Sequence, residues 1–165
     1  MAVSGADATL AVTLPGEAAT TDLARRLAPS LRSGGVVFLR GELGAGKTTF
    51  ARALLRALGV GERVKSPTYT LLERYRVDGR PAFHLDLYRI GNPDELEWLG
   101  LDELDAPGTL ALVEWPERGR GELPAPDLEV LLEHAGGARR CCLTPVSERG
   151  RGWLAAVRVA TDAAH

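Results

Sequence analysis

The stretch from Val36 to Phe50, VVFLRGELGAGKTTF, decides the fold. Val36-Val37-Phe38-Leu39 is a short unbroken apolar run, the pattern of a strand buried on both faces of a sheet. Gly41 to Thr48, GELGAGKT, fits G-x-x-x-x-G-K-[ST], a loop built to hold phosphate. From Lys47 to about Leu58, Phe50, Leu54, Leu55 and Leu58 form one helical stripe, and Gly59 stops it. Buried strand, glycine loop and amphipathic helix follow one another in the order the motif needs. A dinucleotide-binding loop is disfavoured, because GELGAG lacks the spacing G-x-G-x-x-G.

Each residue type in the loop has a physical reason. Gly41, Gly44 and Gly46 allow a tight bend and close approach, so N–H groups from Gly44 through Ala45, Gly46 and Lys47 to Thr49 can converge on a polyphosphate. The helix N-terminus adds partial positive charge. Lys47 supplies a mobile point charge for the β- and γ-phosphates, and the Thr48 hydroxyl suits Mg²⁺. Of the 20 basic residues only Lys47 and Lys65 are lysines, so a lysine here stands out, and arginine's planar fork is no substitute for it.

Such a site also needs an acid at the end of a neighbouring strand. Glu114 closes the apolar run Leu110-Ala111-Leu112-Val113. Asp86 lies in HLDLYR (84–89), where alternation puts His84, Asp86 and Tyr88 on one face. Both are candidates to hold the metal or orient water, and the spacing does not divide the two tasks. Lys65-Ser66-Pro67-Thr68 offers a cation and two hydroxyls where a γ-phosphate sensor would sit. His84 alone reads as a hydrogen-bonded structural histidine, Trp98 and Trp115 as core, and RGRG (118–121) as a solvated loop.

Outward from the loop, residues 10–14 read as a strand, and Glu17 opens a helix with Leu23, Leu27 and Leu31 as its stripe. Pro29 should kink or shorten that helix. Runs 69–76 and 81–88 flank Asp78-Gly79, a strong hairpin signal. Residues 93–99 read as a short acidic helix, and 109–115 as a buried strand. Residues 127–134 and 138–146 read as two strands about Gly136-Gly137, and 151–159 as a helix or strand. The fold class is α/β: a P-loop NTPase three-layer sandwich with a mixed, mainly parallel central sheet plus a β-hairpin.

The 165 residues suggest one domain, over 10–160, with tails at 1–9 and 161–165. With 45% hydrophobic and 25% charged residues the composition is that of a soluble globular chain. No apolar run approaches a membrane span and the N-terminus is not a secretory signal. Adjacent Cys141 and Cys142 argue against a disulfide framework and for a reducing, cytoplasmic setting. The net charge of −2 excludes a strongly basic nucleic-acid binder. Residues 90–117 carry 8 acidic and no basic side chains, a solvated face or a surface that a partner reads.

Together GELGAGKTTF (41–50), VKSPTYTLLERY (64–75), HLDLYR (84–89), ELEWLGLDEL (95–104) and LVEWPER (112–118) resemble the TsaE family, bacterial P-loop ATPases of tRNA threonylcarbamoyladenosine biosynthesis. The likeness covers about residues 10–134. It implies that Thr48 and Glu114 bind Mg²⁺, that Lys47 and the loop amides bind ATP phosphates, and that Asp86 acts as a second acid on metal or water. It further implies a switch-like loop at Ser66 to Thr68, adenine contacts near Glu17 and Trp115 close to the nucleotide. The implied partners are TsaD and TsaB, which transfer threonylcarbamoyl to adenosine 37 of tRNA, so that tRNA is reached through the complex. Glu42 stands where the family often has Asp, on the solvent side. The rival readings are a small-molecule kinase on the same fold and a nucleotide-switch module without hydrolysis.

Overall fold

The computed structural model of the chain describes residues 9–61, 64 and 71–163. The Ser66–Thr68 loop, residues 1–8 of the expected N-terminal tail and residues 164–165 lie outside the described residues, whereas 161–163, expected as tail, end the last helix. Strands β1 (Leu10–Leu14), β2 (Gly35–Gly41), β3 (Leu72–Val77), β4 (Arg80–Asp86), β5 (Leu110–Glu114), β6 (Leu128–Ala135) and β7 (Ala138–Pro145) form one sheet in the order β1-β7-β6-β2-β5-β4-β3. The four central strands, β6-β2-β5-β4, run parallel, and the outer pairings are antiparallel. The sheet is thus mixed with a parallel centre, as the sequence predicts.

Alternation along β2 divides the core. Val37 and Leu39 face a cluster with Leu110 and Leu112, covered by helices α1 (Glu17–Leu31), α2 (Lys47–Ala57) and α3 (Glu148–Ala163). Leu27, Leu31, Phe50, Leu54 and Leu55 are fully buried there, each worth about 1.5–3 kcal/mol of apolar transfer. Val36 and Phe38 face the other side with Phe83, Leu85 and Val113. Short 3-10 segments at Pro93–Leu99 and Leu101–Glu103 cover that side through Leu96 and Leu104. The third layer is therefore built of tight turns, not of long helices.

Several local expectations shift. Pro29 does not end α1, which runs on to Leu31. Pro29 and Arg25 are both exposed, so water can take the carbonyl that the missing N–H leaves. The Pro93–Leu99 segment winds as a 3-10 helix, with Asn92 capping the N–H of Asp94. Its three-residue period turns Leu96 inward and leaves Trp98 89% exposed, so Trp98 is not core. The Asp78-Gly79 turn has φ of 52° and 79°, the doubly positive geometry that a two-residue hairpin demands. Residues 151–159 are helical, with Trp153, Leu154 and Val157 buried. Among the described residues no helix is long and apolar enough to cross a membrane.

Candidate nucleotide site

The register sets the site. Glu114, the last residue of β5, pairs with Leu39 on one side and with Asp86, the last residue of β4, on the other. The glycine loop leaves β2 at this same edge and enters α2. Loop and both acids thus meet at the carboxyl ends of parallel strands, where α/β sheets place their ligands.

Gly41, Gly44 and Gly46 have φ of 144°, 78° and 109°, values that L side chains rarely adopt. A Cβ on Gly41 would stand 2.2 Å from the Leu132 carbonyl oxygen, so the loop leaves the sheet with no room for one. A Cβ on Gly44 or Gly46 would meet only open space. That space is a cavity of about 510 Å³ lined by Gly44, Gly46, Lys47, Thr48, Thr49, Asp86, Glu114 and Trp115. Gly46 carries no capping side chain, which leaves the first-turn N–H groups of α2 to a ligand. Ala45 is wholly buried and shapes the loop from beneath.

Lys47 is only 4% exposed. Its Nζ donates to the carbonyls of Gly41 at 2.6 Å and Glu42 at 2.8 Å, and lies 4.4 Å from the centre of the Trp115 ring. Burial lowers its pKa below the usual 10.5, against the pull of Glu114, Asp86 and Glu117. The ammonium is folded back on its own loop, beside the cavity that Lys47 lines. Trp115, at φ 56°, sits in a left-handed conformation that is costly for a bulky residue, and it carries its ring over that ammonium.

The Thr48 hydroxyl donates to Glu114 Oε1 at 2.7 Å. Glu114 Oε2 lies 2.7 Å from His84 Nε2. His84 is thus hydrogen-bonded and fully buried, the structural histidine that its sequence setting suggests. Asp86 accepts the Tyr88 N–H at 3.1 Å. Burial, and then the neighbouring Glu114, push its pKa above 3.8. Two carboxylates, a hydroxyl and a buried cation around one cavity suit a polyphosphate with a hard divalent cation. Thr48 and Glu114 would hold the cation, Asp86 the cation or a water beside it, and Lys47 and the loop amides the phosphates.

The structure does not bring every expected residue here. Glu17 opens α1, exposed and outside the cavity lining, although on the loop's side of the sheet: Leu14 pairs with Arg139, whose guanidinium reaches Gly44 O at 3.5 Å. Trp115, read from its immediate surroundings as core, is half-buried against the Phe38–Phe83 cluster and also lines the cavity. Leu71, Tyr88, Arg89, Ile90 and Glu95 also line it. Tyr88 and Arg89 continue the Asp86 segment and Glu95 opens the ELEWLGLDEL stretch, so these were within reach of motif reading, whereas Ile90 was not singled out by any motif. Arg118, in the stretch read as a solvated loop, stacks on both Tyr88 and Trp115 at 5.2 and 5.4 Å.

Comparison with known proteins gives one consistent family and fold. Residues 14–142 match the family model described as threonylcarbamoyl adenosine biosynthesis protein TsaE. A Haemophilus influenzae protein named tRNA threonylcarbamoyladenosine biosynthesis protein TsaE is 40% identical over 121 residues, 73% of this chain and 77% of that protein. A Bacillus subtilis protein of the same name is 38% identical, over 73% of this chain and 75% of the relative. The crystal structure of Bacillus subtilis YdiB superposes with a TM-score of 0.77 at 28% identity, covering 93% of this chain and 96% of that one.

Proposed function

Because this chain belongs to the TsaE family of threonylcarbamoyladenosine biosynthesis proteins, we propose that it is the Mg-dependent ATPase subunit that supports the TsaD–TsaB pair in threonylcarbamoyl transfer to adenosine 37 of tRNA. The observation that carries the reading is the Thr48–Glu114 bond of 2.7 Å beside the buried Lys47, at the mouth of a glycine loop. Hydroxyl and carboxylate are already in contact, and together they would hold a divalent cation.

In this reading Lys47 exchanges the carbonyls of Gly41 and Glu42 for phosphate oxygens, and the loop amides orient the chain of phosphates. Mg²⁺, when bound, neutralises charge across the β- and γ-phosphates. Thr48 and Glu114 hold that edge of the site, while Asp86, whose raised pKa suits a proton acceptor, takes the proton of the attacking water. Turnover by the chain alone is slow, and the partners complete the site. The setting is the cytoplasm, where the modification complex meets tRNA.

The test is phosphate release from Mg-ATP by the purified chain, alone and with TsaD and TsaB added. A slow basal rate that rises with the pair supports the reading. No phosphate under either condition, with ATP still bound, overturns hydrolysis in favour of a nucleotide switch. A phosphorylated acceptor in place of free phosphate would make the chain a kinase.

A further inference from the structure

His84 lines no part of the cavity, yet it is 0% exposed and buried directly behind an acid of the site. Its Nε2 stands 2.7 Å from Glu114 Oε2, while its Nδ1 is buried with no hydrogen-bond partner. Among the described residues the ring therefore has one polar contact, and that contact is the carboxylate. The register explains the meeting: His84 faces Leu112 on β5, and Glu114 follows two residues later on the same face of the sheet. A glutamate's last torsion is broad and by itself leaves the two oxygens free to exchange places. With Oε2 engaged by His84, Oε1 is the oxygen turned to Thr48 at 2.7 Å. Asp86, the neighbouring acid, has its own anchor in the Tyr88 N–H and does not share this one.

Resting on the reading of this cavity as a site for a nucleotide with its cation, we infer that His84 is a positioning residue: its Nε2–H fixes the Glu114 carboxylate so that Oε1 is presented to a divalent cation beside Thr48. His84 touches neither cation nor phosphate. It acts through the orientation of one carboxylate, the kind of support whose loss typically weakens metal binding ~10–100-fold.

The experiment uses the full chain and binding, not turnover. Affinity for AMP-PNP is measured by calorimetry in EDTA and across a Mg²⁺ titration, for the wild type, His84→Leu and His84→Gln. The glutamine amide carries an N–H about as far out as Nε2, so it can restore the bond. The expected result is a half-saturating Mg²⁺ raised ~10–100-fold in His84→Leu, with affinity in EDTA unchanged and most of the loss recovered in His84→Gln. If the leucine variant does not fold, His84→Asn replaces it, because its shorter amide falls short of Glu114. The inference is overturned if Mg²⁺ dependence is unchanged without the imidazole, if glutamine rescues nothing, or if affinity in EDTA falls equally. A wild type whose AMP-PNP binding ignores Mg²⁺ overturns the cation reading itself, and the inference with it.

Discussion

Replacing Glu114 separates what the carboxylate does for the fold from what it does for the ligand. It is 2% exposed and accepts two hydrogen bonds of 2.7 Å, from the half-buried Thr48 hydroxyl and from fully buried His84. In Glu114→Ala the Thr48 hydroxyl can turn to the solvated cavity, at about 1 kcal/mol for the lost bond. His84 cannot turn anywhere, and an orphaned buried donor costs about 1–3 kcal/mol. The sum is about 2–4 kcal/mol, somewhat offset because a buried charge is also removed. At ~2–4 °C per kcal/mol for a chain of this size, Tm should fall by roughly 5–15 °C.

Glu114→Gln should behave differently. The amide keeps the volume and one acceptor. Its carbonyl oxygen can still accept from His84 Nε2–H, and its NH₂ can donate to the Thr48 hydroxyl oxygen, so no buried donor is orphaned. The expected cost is under ~1 kcal/mol, since the buried charge disappears as well. Thermal unfolding of both variants without nucleotide, and Mg-dependent binding of AMP-PNP, form the assay. Glutamine should preserve Tm within about 3 °C and still lose Mg²⁺-dependent binding. Hydrolysis at the wild-type rate in Glu114→Gln would refute the cation role. An unchanged Tm in Glu114→Ala would refute the buried network.

Asp86 has a pKa raised by burial and by Glu114, so its ionised form, the one that accepts a proton, is lost on acidification at a higher pH than 3.8 would give. The acid limb of the pH–rate profile should therefore sit above that value, and Asp86→Asn should flatten it while lowering turnover ~10²–10⁴-fold. The same raised pKa means that ionising Asp86 weakens the fold as pH climbs from 3.8 through the raised value, so Asp86→Asn should unfold at a higher temperature than the wild type at neutral pH. Gly41→Ala and Gly44→Ala should fail in different assays. The first meets the Leu132 carbonyl at 2.2 Å and should lose about 2–5 kcal/mol in denaturant unfolding, whereas the second has open space, pays only about 1–2 kcal/mol for its φ of 78°, and should lose nucleotide affinity.

What was legible in the sequence follows from how local each signal is. The loop and its helix are contiguous, so GELGAGKT with its flanking stripe located Lys47, Thr48 and the cavity floor without tertiary information. The Asp78-Gly79 hairpin is local in the same way. Trp98 was misjudged from its own neighbourhood, and the second face of Trp115, the one on the cavity, was not visible there, because both depend on distant partners. A three-residue period throws Trp98 outward between Leu96 and Leu99, and an unusual φ of 56° swings Trp115 over Lys47, 68 positions earlier in the chain. No propensity encodes a left-handed tryptophan.

The two acids make the same point more sharply. Alternation showed that His84 and Asp86 share a face, but it could not show that this face also holds Glu114, because that depends on β4 and β5 being neighbours in parallel register. Once Asp86 lies opposite Glu114, the pairing carries His84 to within 2.7 Å of the Glu114 carboxylate and leaves Asp86 to the Tyr88 amide. The acids then differ in kind. Glu114 is enclosed, anchored on one oxygen and bonded to Thr48 on the other; Asp86 is half-buried at the cavity with its pKa raised. That contrast is what the proposed roles, cation for Glu114 and proton for Asp86, rest on. The contrast between the two acids is thus a property of sheet register, and shifting β4 by one residue against β5 would turn His84 away from Glu114 and abolish it.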